Sequence, residues 1–285
     1  MEVPIKRKKS AHVVETHKEG LAQMLQKPKH LAPEYGEQFK DLSMVAAYRY
    51  RPPYPASVFA LLAGLISSKP RHVLDAGCGT GNIARYLIEH VERLDAVDFS
   101  QHMIEQGKRL PHGDDAHLRW LHGRVEDVAL DPPYALVTAG ESLHWMDWNI
   151  VLPRFHEVLM PGGYLAIVEH DTLPDPWYAP LREIIPQYST NKDFQYYNMI
   201  EALERHGLFQ KVGQKMTAPV PFVQSLDDYI ESYHSRNGFS RERMDPAMAD
   251  AFDQEARKIL LRSYGDGVLR LQVVGTVVWG LPRRL

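Results

Sequence analysis

The sequence predicts an α/β protein with a doubly wound sheet, and three observations carry that reading. An apolar run enters a glycine turn at Val73-Leu-Asp-Ala-Gly-Cys-Gly-Thr-Gly-Asn82 and leaves it as a helix, Ile83–His90. Glycines at 77, 79 and 81 let the backbone reverse sharply and approach a ligand where a Cβ would collide. Short apolar strands then alternate with helical stretches along the chain. The 285 residues, 44% of them hydrophobic, suffice for one large domain of this class with an insertion.

In chain order, residues 1–32 are polar and basic, with Val14, His17, Leu21, Met24 and Leu25 at helical spacing. They predict an amphipathic helical arm ahead of a main domain at 33–285. A linker with two prolines, Lys27 to Pro33, would hold the arm away from its own body. Tyr50-Arg-Pro-Pro-Tyr-Pro55 cannot continue a helix, because each proline disfavours helical geometry before it. A helix from Ala56 to Ser67 leads to the glycine turn. Leu94–Phe99 reads as the second strand, and Ser100 as the N-cap of a helix to about Leu110. Leu118–His122 and Tyr134–Thr138 are the third and fourth strands. Helix Val151–Leu159, a turn at Met160-Pro-Gly-Gly163 and strand Tyr164–Glu169 follow.

Beyond residue 170 the chain is rich in proline and aromatic residues up to about Asn198. A helix from Tyr197 to His206 is closed by Gly207, and Phe209 to Val223 reads as a single sixth strand. Ser225-Leu-Asp-Asp228 is a capping box for a helix through His234. Pro246 opens a helix to Tyr264, and Gly267–Gly280 is the last strand.

The G-x-G-x-G spacing differs from the G-x-G-x-x-G of a dinucleotide site. Asp75 stands at the first strand's tip, and Asp98 ends the second strand, where a carboxylate can accept both hydroxyls of a ribose. No phosphate-gripping lysine is near, which points to S-adenosylmethionine (SAM) rather than NAD. At these residues the chain resembles the class I SAM-dependent methyltransferases of small-molecule type, related to the trans-aconitate and natural-product enzymes. The resemblance runs from about 39 to 281 and includes an "H-W-x-D" stretch at 144–147 and the "L-x-P-G-G" at 159–163.

The resemblance implies a Rossmann-like, seven-stranded, mostly parallel sheet with a helical lid over the acceptor, at about 171–200 and 225–265. It implies SAM as methyl donor and S-adenosylhomocysteine (SAH) as product. It places Asp75, Ala76, Gly77, Gly79 and Gly81 around the cofactor, with Asp98, Phe99 and Met103 at the ribose side. Arg124, Val125 and Glu126 would meet adenine, and Ala139 the donor methyl. Tyr48 would cover the cofactor's methionine end, and Arg51 would pair with its carboxylate. Trp145, Trp177, Tyr178, Tyr196, Tyr197 and His234 would line an apolar acceptor chamber. The helical arm resembles that of bacterial natural-product methyltransferases, including the terpenoid-indole type that methylates an isoprenoid carbon.

Methyl transfer from a sulfonium is an in-line displacement that needs positioning and exclusion of water, not a metal. No metal-ligand spacing stands out despite 14 His. An oxygen acceptor needs a base, for which His144 is the first candidate, ahead of His170 and His234, with Glu141 in the same chamber. A carbon acceptor would instead need aromatic faces to stabilise a carbocation. The expected acceptor is a bulky apolar or aromatic natural product.

Asp131-Pro-Pro-Tyr134 matches the D-P-P-Y of exocyclic-amine methyltransferases of DNA, but here it precedes its strand, at the far end of the sheet. A nucleic-acid base methyltransferase therefore stands as the rival reading, and a non-catalytic SAM-binding subunit as another. The formal net charge of −3 gives no footprint for nucleic acid beyond Lys6-Arg-Lys-Lys9. No apolar run is long enough to span a membrane, and none follows the basic cluster as in a secretion signal. The single cysteine, Cys78, suits a reducing cytoplasm. The arm predicts a homo-oligomer in which it crosses to a partner.

Overall fold

The computed structural model describes residues 27–284, so the expected helical arm at 10–26 lies outside the described residues. One eight-stranded sheet organises the rest, in the order β3-β2-β1-β4-β5-β8-β6, with β7 also paired to β8. The strands are β1 (His72–Ala76), β2 (Arg93–Asp98), β3 (Leu118–His122), β4 (Tyr134–Gly140), β5 (Leu159–Thr172), β6 (Phe209–Met216), β7 (Val220–Ser225) and β8 (Val268–Pro282). The first five are parallel, and β8 runs antiparallel to β5, β6 and β7.

The strands bury both faces, as helices on both sides of a doubly wound sheet require. Adjacent residues point to opposite layers: Leu74 packs with Val97, Val137, Phe155 and Ile167, while Val73 packs with Val58, Leu62, Leu87 and Leu94. The covering helices include α1 (Pro33–Gly36), α2 (Leu42–Ala47), α3 (Ala56–Leu65), α4 (Ala84–Leu87), α5 (Gln101–Gly107) and α6 (Trp148–Val158). Caps read from sequence hold, Ser100 Oγ accepting from the Met103 N–H and Ser225 Oγ from Asp228, and Asp245 before Pro246 caps its helix as well, accepting from Ala247.

Two expectations about strands change. The sixth strand is two, because 217–219 interrupt it and Pro219 has no N–H to donate. Thr217 still anchors the break, its N–H donating to Gly275 O at 2.8 Å. The turn at 160–163 is a bulge inside β5: Leu159 already pairs with Tyr134 and Tyr164 with Leu136, with Gly162 at φ 82°.

The second half of the chain builds its own core. Helices α7 (Tyr178–Tyr188), α9 (Leu226–Tyr233) and α10 (Pro246–Ser263) pack through Trp177, Leu181, Tyr229, Tyr233, Phe252 and Leu260. The short α8 (Met199–Arg205) packs instead on the first layer through Met199 and Leu203. Residues 27–33 do not lead away from the body as a spacer: His30 and Leu31 are buried against it. Among the described residues no helix is long and apolar enough to cross a membrane.

Candidate functional site

The carboxyl ends of β1, β2 and β4 open into a cavity of about 450 Å³, the expected place for a ligand in an open α/β sheet. The turn after β1 forms one wall. Gly77 and Cys78 N–H both donate to Val97 O at 2.9 Å, tying the turn to β2. Gly77 has φ 69°, and a Cβ there would meet Ser142 Cβ at 2.5 Å, so the wall can only be glycine.

Asp98 sits at the tip of β2 with one oxygen 2.7 Å from the Gly79 N–H and the other 2.8 Å from the Ser100 N–H. Each carboxylate oxygen keeps acceptor capacity toward the cavity. Burial outweighs those hydrogen bonds and pushes its carboxyl up to about 6. Phe99, Met103, Arg124, Val125 and Glu126 continue the same wall. Glu126 Oε1 already accepts the Asp147 N–H at 3.0 Å and Arg124 Nη2 at 3.2 Å.

On the other side stand Tyr48, Glu141, Ser142 and Trp145. Glu141 is a non-glycine residue at φ 49°, in the sparsely populated left-handed region. Burial would raise its carboxyl, but His170 and Arg51 bring it down to about 2. His170 Nδ1 lies 2.9 Å from Glu141 Oε1 without hydrogen-bond alignment, while the His170 N–H donates to the same oxygen at 3.3 Å. Arg51 stacks on Tyr48 with 4.3 Å from Cζ to the ring centre, donates from Nε to Ser235 Oγ at 2.8 Å and reaches Glu141 Oε2 at 3.4 Å.

Burial lowers His144 to about 4, helped by the cations Lys27 and Arg51 and opposed by Glu141. Its imidazole is therefore neutral near pH 7 and able to accept a proton. The ring lies against Trp145 at 4.8 Å and, unlike Trp145, is not part of the lining of this cavity or of the smaller one beside it.

Several expected site residues stand elsewhere. Asp75, Arg51 and His170 line a smaller adjoining cavity with Tyr54 and Cys78. Thr138 Oγ1 donates to Asp75 Oδ1 at 2.8 Å, burial pushes the carboxyl up to about 7, and Oδ2 is buried without a partner. Ala76 and Ala139 are fully buried in the sheet's core. Gly81 turns away from the cavity, toward the Trp120 ring.

The residues expected to form a lid, at 171–200 and 225–265, need the larger correction, because none of them lines the main cavity. Trp177 is buried against Tyr229, and Tyr178 packs on the same cluster, because the lid helices need a core of their own. His234 is fully buried, with Nε2 2.8 Å from Asp253 Oδ1 and Nδ1 2.8 Å from Phe239 O, a structural histidine. Tyr196 is 88% exposed, and Tyr197 stacks on Trp148 outside the cavity. Of the six proposed acceptor residues, Trp145 alone lines the main cavity.

Sequence reasoning missed the opposite wall, which 27–39 supply through Lys27, Leu31, Gly36 and Phe39. The available signals were the apolar Leu31 within the stretch read as spacer and Phe39 just beyond it. Asp131-Pro-Pro-Tyr134 lies at the opposite end of β4 from this site, where Tyr134 OH donates to Asp95 at 2.6 Å. Among the described residues no cluster of His, Cys, Asp and Glu is arranged to hold a metal.

Residues 73–163 match the family model of the methyltransferase domain. Trans-aconitate 2-methyltransferase from Acidovorax sp. (strain JS42) is 31% identical over 143 residues, 49% of this chain and 54% of that protein. The enzyme of the same name from Acidovorax ebreus (strain TPSY) is 33% identical over 131 residues, 45% of this chain and 49% of that protein. The chain thus spans about half the length of the relatives it matches. A solved structure from Anaeromyxobacter dehalogenans, described as a type II methyltransferase, superposes with a TM-score of 0.62 at 21% identity. It covers 82% of this chain and 99% of its own, and shares the fold.

Proposed function

From a chain that carries the domain of the class I SAM-dependent methyltransferases, with SAM as methyl donor, we propose that it methylates a small-molecule acceptor in the cavity beside Asp98. The observation that carries this reading is the glycine wall and the Asp98 carboxylate facing one cavity with Glu141 and Trp145 across it. The residues fit the cofactor: Gly77 presents backbone where a Cβ would collide, Asp98 keeps acceptor capacity for ribose hydroxyls, and Phe99, Met103 and Val125 offer apolar surface for a base. The buried, unpartnered Asp75 Oδ2 in the adjoining cavity suits an ammonium group.

When bound, SAM would supply a methyl group on a sulfonium sulfur, to which an acceptor electron pair would form the new bond as the C–S pair left with sulfur to give SAH. The protein's part is to align the acceptor, keep out water and take a proton. Neutral His144 is the base we assign for an oxygen acceptor, and Trp145 offers an aromatic face to an apolar one. The acceptor we favour is a bulky apolar or aromatic natural product. A second reading, an acidic acceptor, is favoured by the activity named for the relatives and by Lys27 and Arg51 near His144. We further read the protein as a cytoplasmic homo-oligomer, on its single cysteine and the apolar spacing at 14–25.

The test is titration calorimetry with SAM, then turnover on a panel of phenols, prenylated indoles and tricarboxylates. Asp98→Ala should weaken SAM by about 1–3 kcal/mol. Unchanged affinity in a folded variant removes Asp98 from the site.

A further inference from the structure

Residues 27–41 lie across the main cavity, and one side chain ties their N-terminal end to the wall that carries Trp145. Lys27, Leu31, Gly36 and Phe39 line one side of the cavity whose other side holds Gly77 and Asp98. The later half of this stretch is joined to the lid. Tyr35 OH donates to Asp193 at 2.7 Å, Asn237 donates to Tyr35 O at 2.6 Å, and Asp41 accepts from Ser240 and Arg243 at 2.6 Å.

Lys29 and His30 are joined to the same side, Lys29 to Asp193 at 3.0 Å and His30 O to Asn191 at 3.2 Å, whereas Lys27 at the N-terminal end meets a different wall. Lys27 Nζ donates to His144 O at 3.0 Å and to Met146 O at 2.8 Å, and lies 5.5 Å from the Trp148 ring centre. Among the described residues this is the only polar tie between 27–41 and the 143–148 segment. The two carbonyls flank Trp145, one on the helical turn Leu143–Trp145 and one just after it, so the ammonium braces the segment that presents Trp145 to the cavity. Charge-assisted hydrogen bonds of this kind are the strong ones, and here they are partly shielded from water. Phe39 meets Trp145 edge-on at 5.6 Å and is the apolar counterpart of the same closure.

We propose that residues 27–41 are a strap that must lift before the cofactor product can leave, and that Lys27 is its latch on the 143–148 side. This rests on the reading that the cofactor is held at Asp98, because a molecule seated there lies beneath the strap. Lifting Lys27 releases the carbonyls of 144 and 146 on either side of Trp145.

The test compares wild type, Lys27→Met and Lys27→Arg as full-length protein. Methionine keeps an apolar stem near Trp148 and removes the donors; arginine restores them. Hydrogen exchange of the 28–40 amides, without ligand, tests the latch. It should be about tenfold faster in Lys27→Met and near wild type in Lys27→Arg, and unchanged exchange overturns the latch. Stopped-flow tryptophan fluorescence with SAH tests the gate, since Trp145 lines the cavity. SAH should dissociate about tenfold faster from Lys27→Met. Faster exchange with unchanged dissociation overturns the gate. Failure of wild type to bind SAH counts against the function proposed above, and the exchange result still decides the latch.

Discussion

Two side chains show how burial sets chemistry here. Asp98 is pushed up to about 6 by its surroundings, so it is ionised at pH 7 but protonated in mild acid. A ribose that hydrogen-bonds to the carboxylate binds the ionised form better. SAH affinity should therefore fall in two stages as pH drops: first below pH 7, where Asp75, placed to meet the ammonium, takes up a proton, and further below pH 6, where Asp98 does, each by up to about tenfold per pH unit. Calorimetry between pH 5 and 8 checks this, and Asp75→Asn should remove the first stage and leave the fall below pH 6. His144 is lowered to about 4 and so stays neutral across that range. If it is the base, His144→Ala should cut the single-turnover rate by about two orders of magnitude while SAH affinity stays unchanged. A near-normal rate would assign the reaction to an acceptor that needs no base from this residue.

Among elements, the turn after β1 tolerates little change of shape. Gly77 and Gly79 both have positive φ, at 69° and 55°, so alanine strains the backbone at either. They differ in what a methyl would meet: Ser142 Cβ at 2.5 Å from position 77, but only the Tyr48 ring at 3.8 Å from position 79. Ser142 cannot step aside cheaply, because its Oγ donates to Ala76 O at 2.6 Å beneath the turn. Gly77→Ala should thus cost about 2 kcal/mol or more, and Gly79→Ala clearly less. Thermal melts of the pair check this; equal losses would mean that backbone strain alone matters. The lid helices show the opposite economy. Their aromatics are spent on joining α7, α9 and α10, with Tyr233 and Phe252 centred 5.5 Å apart, rather than on a ligand.

For the whole molecule, the cavity is bounded by segments far apart in sequence: the strap, the glycine turn, the ends of β2 and β4, and the 142–149 segment. The strap is fastened to the lid by Asn191 donating to His30 O at 3.2 Å and Gly238 donating to Gln38 Oε1 at 3.0 Å. Deleting 1–26 should leave the fold and SAH binding intact and reduce the assembly measured by light scattering. A truncated protein with the full-length mass and activity would end the reading of an exchanged arm.

The sequence by itself determined the parallel half of the sheet, the glycine turn and the acid after β2, because these are local: period, glycine geometry and a strand-end carboxylate lie within about thirty residues of each other. The same holds for the caps at Ser100 and Ser225, where donor and acceptor are three residues apart. Only the tertiary structure decided which of two adjacent cavities Asp75, Arg51 and His170 face. It also decided that Trp177, Tyr178 and His234 build a core and that 27–39 form a cavity wall. An aromatic or a histidine has the same composition whether it packs on a neighbour or faces a ligand. The choice follows from which distant helix needs its apolar surface covered, and no spacing along the chain encodes that partner.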